Sequence, residues 1–210
     1  MMDDLLKPYA GMVITHGILL STLSGYQAPN FKIHRWLKEG QLMALKRGMY
    51  VVSPKLSGVP VSLPLIANHL YGPSYVSLEF ALSYFGLIPE GVADVTSVTT
   101  KRAKTFRNSL ARFSYQRLPT RYYAQGIQQL KVSEKISFMI AEPEKALCDW
   151  LVLTPNLKIY SSKTMRILLL EDLRLDEEKL SELSPTKIHQ YAQAGSKANI
   201  LTCLAKYLEE

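Results

Sequence analysis

A chain of 210 residues, 47% hydrophobic and 20% charged, has the composition of one or two compact globular units and excludes extended disorder. No apolar run approaches the roughly 18 residues that a membrane-spanning helix needs, so no membrane partner is expected. The net charge of +7 is unevenly placed, with 14 Lys and Arg against 6 Asp and Glu in residues 1–125 and 11 against 12 in residues 126–210, and a localised basic excess is the electrostatic footprint of a polyanion-binding surface.

From residue 13 the apolar positions Ile14, Ile18, Leu19 and Leu23 recur on one helical face, with Thr15 available as a cap. That helix should end near Ser24 and Gly25. Tyr26-Gln27-Ala28-Pro29 makes a turn, and Pro29 suits the first position of a second helix, where the N–H it lacks would be unpaired anyway. The second helix should reach about residue 39, burying Ile33, Trp36 and Leu37 and leaving Asn30, Lys32, His34, Arg35 and Lys38 mostly outward. Gly40 stops it, and segments 41–45 and 49–52 read as two short strands joined by Lys46-Arg47-Gly48. Helix, turn, basic helix and basic-tipped hairpin is the order of a winged helix-turn-helix, whose second helix enters the major groove of DNA.

The string RWLKEGQLMALKRGMYVVSP, residues 35–54, resembles the N-terminal winged helix of AbiEi-type antitoxins and related regulators of phage defence. The resemblance implies that Lys32, Arg35 and Lys38 face double-stranded operator DNA and that Lys46 and Arg47 hold its phosphates. Among the outward residues, Asn30, Lys32, His34 and Arg35 lie near the helix start and are the candidates for base edges. Lys46 and Arg47 are expected to supply affinity without sequence information. Before this helix pair the chain offers only the short segment 3–9, where the family has a long first helix.

Residues 53–61 are rich in Ser, Pro and Gly and read as a linker, dividing a DNA-binding domain, 1–54, from a second domain, 61–210. In the second, segments 61–70 and 76–85 carry helical apolar spacing, the latter with Ser77 as cap and Gly86 as stop. Segments 94–100 and 111–118 alternate as strands. Between them, 101–108 reads as a basic loop, with Lys101, Arg102, Lys104 and Arg107 available to phosphate or to an acidic partner. Pro143 should open a helix with Glu142 and Glu144 at its positive end, burying Ala146, Leu147 and Trp150 and leaving Asp149 on the flank. Beyond residue 161 helices are expected at 163–173, 177–183, 185–194 and 197–208, so that a strand-containing core over 61–152 is followed by a helical cap over 153–210.

The string YVSLEFALSYFGLIPEGVADVTSVTTKRAKTFRNSLARFSYQRLP, residues 75–119, together with IAEPEKALCDWL, residues 140–151, resembles the AbiEi C-terminal antitoxin domain. The expected class is therefore α+β: a winged helix-turn-helix, then a mixed antitoxin domain ending in helices. The resemblance implies an antitoxin and transcriptional autorepressor of a toxin-antitoxin operon that counteracts a nucleotidyltransferase-like toxin, usually without a stable complex. The first surface to test for antitoxicity is the basic segment from Lys101 to Arg107. An alternative is a protein-interaction module that masks its toxin directly through the same basic face.

Enzymatic chemistry finds little support in the sequence. His16, His34, His69 and His189 are scattered without metal-ligand spacing, and no phosphate loop, dinucleotide turn or nucleophile elbow occurs, so neither metal nor cofactor is expected. A metal-dependent nuclease using Asp94, Glu142, Glu144 and Lys145 is disfavoured, because adjacent helical residues such as Glu144 and Lys145 diverge by about 100°. Cys148 and Cys203 sit in apolar helical patterns and read as reduced core residues. The Met-Met-Asp-Asp opening lacks the features of a secretory signal, which points to the cytoplasm.

Overall fold

A computed structural model describes the chain except for Met1, Lys135 and Ser196. A 3-10 segment, Asp4–Tyr9, leads into strand β1 (Val13–Thr15), helices α1 (His16–Thr22) and α2 (Pro29–Lys38), and strands β2 (Leu42–Lys46) and β3 (Met49–Val52). Val13 and Ile14, expected at the start of a helix, instead pair with Val51 and Tyr50 in an antiparallel sheet of order β1-β3-β2. The cause is local. Thr15 is itself the cap, its Oγ1 accepting the Ile18 N–H at 3.4 Å, and a capping residue has extended backbone, so the helix begins after it. The apolar stripe of α2 buries Ile33 and Trp36 among Leu6, Leu19, Leu23 and Leu42. The Trp36 indole donates to Asp3 Oδ2 at 3.2 Å, which gives the buried N–H its partner.

Residues 53–62 carry the chain into a larger unit and contain a short helix, α3 (Pro54–Ser57), where the sequence suggested only linker. Then follow α4 (Leu63–Leu70), β4 (Ser74–Val76), α5 (Leu78–Tyr84), β5 (Val95–Thr99), β6 (Lys104–Arg107), β7 (Arg112–Arg117), α6 (Thr120–Tyr123), β8 (Ile127–Ser133), β9 (Ile136–Ala141) and α7 (Pro143–Leu153). Their sheet has the order β6-β7-β5-β4-β9-β8 and is mixed, β5 with β7 and β4 with β9 being parallel.

Two sequence expectations change in this sheet. Val76, assigned to a helix, ends the central strand β4, whose three residues are all buried; a strand covered on both faces shows no alternation for periodicity to detect. The expected loop 101–108 contains β6, which pairs antiparallel with β7 from Lys104 opposite Tyr115 to Arg107 opposite Arg112. β6 is an edge strand, and the cations that disguised it are the type of residue that protects an exposed edge from pairing with another chain.

After α7 the chain is helical: α8 (Ser162–Arg166) continuing into a π-helical turn, Ile167–Asp172, then α9 (Glu177–Ser181), α10 (Pro185–Ala194) and α11 (Ala198–Glu209). α10 and α11 pack on each other and on α7. The fold is thus mixed α+β with a helical C-terminal end. Two apolar cores form. Leu42, Tyr50 and Val52 of the β2–β3 hairpin face the first, while Leu45 and Val51 face the second, because side chains alternate across a strand. A hydrogen bond from Asn108 Nδ2 to the Leu45 carbonyl, 3.3 Å, fastens the same hairpin to the second unit. The hairpin is a wall shared by both cores.

Candidate nucleic-acid interface

The helix α2 presents its solvent face between residues 30 and 38. Asn30, His34, Arg35 and Lys38 are exposed, as the 3.6-residue repeat dictates once Ile33 and Trp36 are inside. Lys32 departs from the expectation. Its ammonium lies 2.6 Å from Asp3 Oδ2 and 5.3 Å from the centre of the Trp36 ring, so it pins α2 to the N-terminal segment and does not project from the helix. The Lys32 hydrogen bond, more than any other contact, holds the Asp3 carboxyl below its ordinary pKa. Arg35 is outward, but its Nε donates to Glu39 at 2.6 Å. Between exposed side chains such a pair is weak and salt-sensitive, and phosphate can compete for the guanidinium.

Asn30 is held from behind. His16 bridges Tyr50 and Asn30, its Nδ1 lying 3.4 Å from the Tyr50 hydroxyl and its Nε2 3.1 Å from Asn30 Oδ1. In that orientation the Asn30 amide keeps its NH2 as the outward donor. Sequence reasoning missed Phe31, which is 71% exposed on this face. The signal was present: Phe31 lies three and four residues before His34 and Arg35 and off the Ile33 and Trp36 stripe.

At the hairpin tip Arg47 is exposed, whereas Lys46, expected beside it as a phosphate ligand, turns inward. Its Nζ donates to the Leu70 carbonyl at 2.6 Å and lies 5.8 Å from the centre of the Phe106 ring. Lys101 and Lys104 converge on the same place, 5.4 and 5.6 Å from the centre of the Tyr71 ring, and Lys104 also stands 4.9 Å from Phe106. Burial first, and then the charges of Lys104 and Lys101, hold the Lys46 pKa below its ordinary value. The structure therefore brings together cations that the sequence placed in two separate units. Arg102 and Arg107 remain exposed on either side of them.

The other polar candidates are engaged in structure. Lys145 and Asp149 are fully buried and ion-paired one turn apart on α7, and Asp149 also accepts from the Tyr75 hydroxyl at 2.9 Å and the Ser77 hydroxyl at 2.7 Å. Asp149 is thus at the centre of the second unit and not on its flank. Ser77 precedes α5 without capping it, its hydroxyl being committed to Asp149. Desolvation pushes Lys145 down and Asp149 up in pKa, and each partner pulls the other back. Gly126 lies so close that a Cβ there would stand 2.7 Å from the Lys145 Cβ. Asp94 meets Arg112 at 3.5 Å, and Lys187 bridges Glu142 and Glu144 at 3.0 and 3.4 Å. Cys148 is buried and Cys203 half-buried. Among the described residues no group of three His, Cys, Asp or Glu side chains is placed to hold a metal ion, and no helix is long and apolar enough to cross a membrane.

No protein-family model matches the chain, and no curated protein matches it either. Among solved structures, the chain is similar to the crystal structure of the RV2827C protein from Mycobacterium tuberculosis, with a TM-score of 0.59 and 13% identity over 94% of this chain and 73% of the other. At that identity the likeness concerns the fold.

Proposed function

We propose that the chain is a double-stranded-DNA-binding regulator of the AbiEi antitoxin type, with α1, α2 and the β2–β3 hairpin acting as a winged helix-turn-helix and no catalytic role. The observation that carries this is the outward face of α2, where Asn30, His34, Arg35 and Lys38 stand together on a helix pinned from behind by the Trp36, Asp3 and Lys32 contacts. A second helix with a rigid base and a polar, basic front has what major-groove reading requires: donors aimed at base edges and cations aimed at phosphates. Arg47 at the hairpin tip extends the basic surface. The motif resemblance along residues 35–54, 75–119 and 140–151 supports the further steps of autorepression and of antitoxicity against a nucleotidyltransferase-like toxin in the cytoplasm.

A reporter placed behind the DNA that lies upstream of this coding sequence tests the proposal. The wild-type chain is expected to repress it, and the His34→Ala, Arg35→Ala, Lys38→Ala triple variant to release it, since these exposed side chains support no core. Equal expression with and without the wild-type protein overturns the proposal.

A second reading, direct masking of the toxin, draws on the exposed edge strand β6, with its own Lys104 and Arg107, and on Lys101 and Arg102 just before it. It requires a stoichiometric complex on co-migration with the toxin, which the DNA reading does not.

A further inference from the structure

Phe31 has no structural task that explains its position. It is 71% exposed, and among the described residues only one exposed large hydrophobic side chain, Tyr160, which carries a hydroxyl, is more exposed at 80%. Its neighbours on α2 are polar or basic: His34 three residues on and Arg35 four residues on, with Lys38 a further turn along the same face. An apolar ring at the N-terminal end of a face that carries Arg35 and Lys38 further along is uncovered in the free protein, and an occupant that is anionic overall and apolar at one point suits it. DNA meets both conditions. Its backbone supplies the charge, and in the major groove only thymine offers a methyl group, the C5-methyl, which apolar side chains contact. A second copy of the chain meets the conditions poorly, because a two-fold contact sets the same patch against itself and would bring the Arg35 and Lys38 charges onto their own copies.

We infer that Phe31 is a specificity-determining residue that reads a thymine methyl in the major groove, a proposal that rests on the DNA-binding reading of α2. Asn30 and Phe31 project about 100° apart around the helix, so they address neighbouring base pairs. Asn30 Oδ1 lies 3.1 Å from His16 Nε2, which orients the amide and leaves its NH2 and one Oδ1 lone pair for a base edge. Phe31 adds no charge, so it changes which sequence is bound and leaves the salt dependence of binding alone.

The test selects duplexes from a random-sequence DNA pool with the full-length chain, then replaces each thymine of the selected site by deoxyuridine, which lacks only the methyl group. One replacement is expected to weaken binding by about fourfold, the worth of one buried methyl-sized group. The same replacement should leave binding by Phe31→Ala unchanged, and that variant keeps its core because the ring lies outside it. A selected site in which no deoxyuridine replacement discriminates between the wild-type chain and Phe31→Ala overturns the inference while leaving DNA binding intact. Recovery of no preferred sequence at all overturns the DNA reading itself, and this inference with it.

Discussion

Three side chains change their meaning once their partners are known. Lys32 and Lys46 carry the same charge as Lys38 and Arg47, and sequence gives no means of separating them. Lys32 is drawn to Asp3, 29 residues earlier in the chain, and Lys46 to the Leu70 carbonyl on α4. Such contacts are between distant segments, whereas periodicity reports only which face of its own helix a residue occupies. The Asp3 contact has a testable sign. Its carboxyl pKa is lowered from the ordinary 3.8 in the folded chain, so its stabilisation is complete above that value and is lost as pH falls through the lowered one. Thermal midpoints measured from pH 6 to pH 2 should fall below about pH 4, and Asp3→Asn should have a lower midpoint at pH 6 and a shallower acid limb. An acid limb of unchanged steepness in the variant would remove Asp3 from the account. Asp149 is the third case. Removing one member of the buried pair, as in Asp149→Asn or Lys145→Met, is expected to cost about 3–5 kcal/mol in urea unfolding because the other charge is left buried and unpaired. The double variant Lys145→Met, Asp149→Asn should cost less than the sum of the two singles, and strict additivity would show that the two do not act as a pair.

Several elements with one covered face were legible in the sequence, whereas β4, covered twice, β6, crowded with charge, and the edge strand β8 were not. α2 showed its Ile33 and Trp36 stripe and its Pro29 start, and α10 its extent from residue 185 to 194, because one side of each is wet and the pattern is periodic. β4 gave no alternation since Ser74, Tyr75 and Val76 are all buried. β6 read as a loop because Lys104, Thr105 and Arg107 are all exposed on an edge and only Phe106 turns partly inward. The candidate site divides the same way. The exposed set of Asn30, His34, Arg35, Lys38 and Arg47 follows from helix periodicity and hairpin geometry, while the inward turn of Lys46 toward Phe106 depends on how the hairpin packs against another unit. Lys46→Ala is therefore expected to weaken the attachment of the hairpin to the second unit, seen as faster amide exchange along β2, and to change DNA affinity less than Arg47→Ala does. The opposite ranking in a binding titration would restore Lys46 as a phosphate ligand.

At the scale of the whole molecule, a hairpin shared by two cores predicts that the N-terminal segment and the sheet-containing unit unfold together. In Trp150→Phe, fluorescence of the remaining Trp36 reports the first core, while circular dichroism is dominated by α4 to α11. The two urea transitions should coincide, and separated midpoints would mean that the units are only loosely joined. Such coupling also fixes the position of Lys101 and Lys104 relative to the hairpin, so that DNA bound as proposed would meet the second unit at a set place. The most direct test of the central claim, that α2 and the hairpin tip bind DNA by sequence, is a salt-series titration of the full-length chain against its own upstream duplex and a scrambled one. The expected result is tighter binding to the upstream duplex, with a salt slope that falls by about one in Arg47→Ala as one phosphate contact is lost. Equal and weak binding to both duplexes at every salt concentration would contradict it.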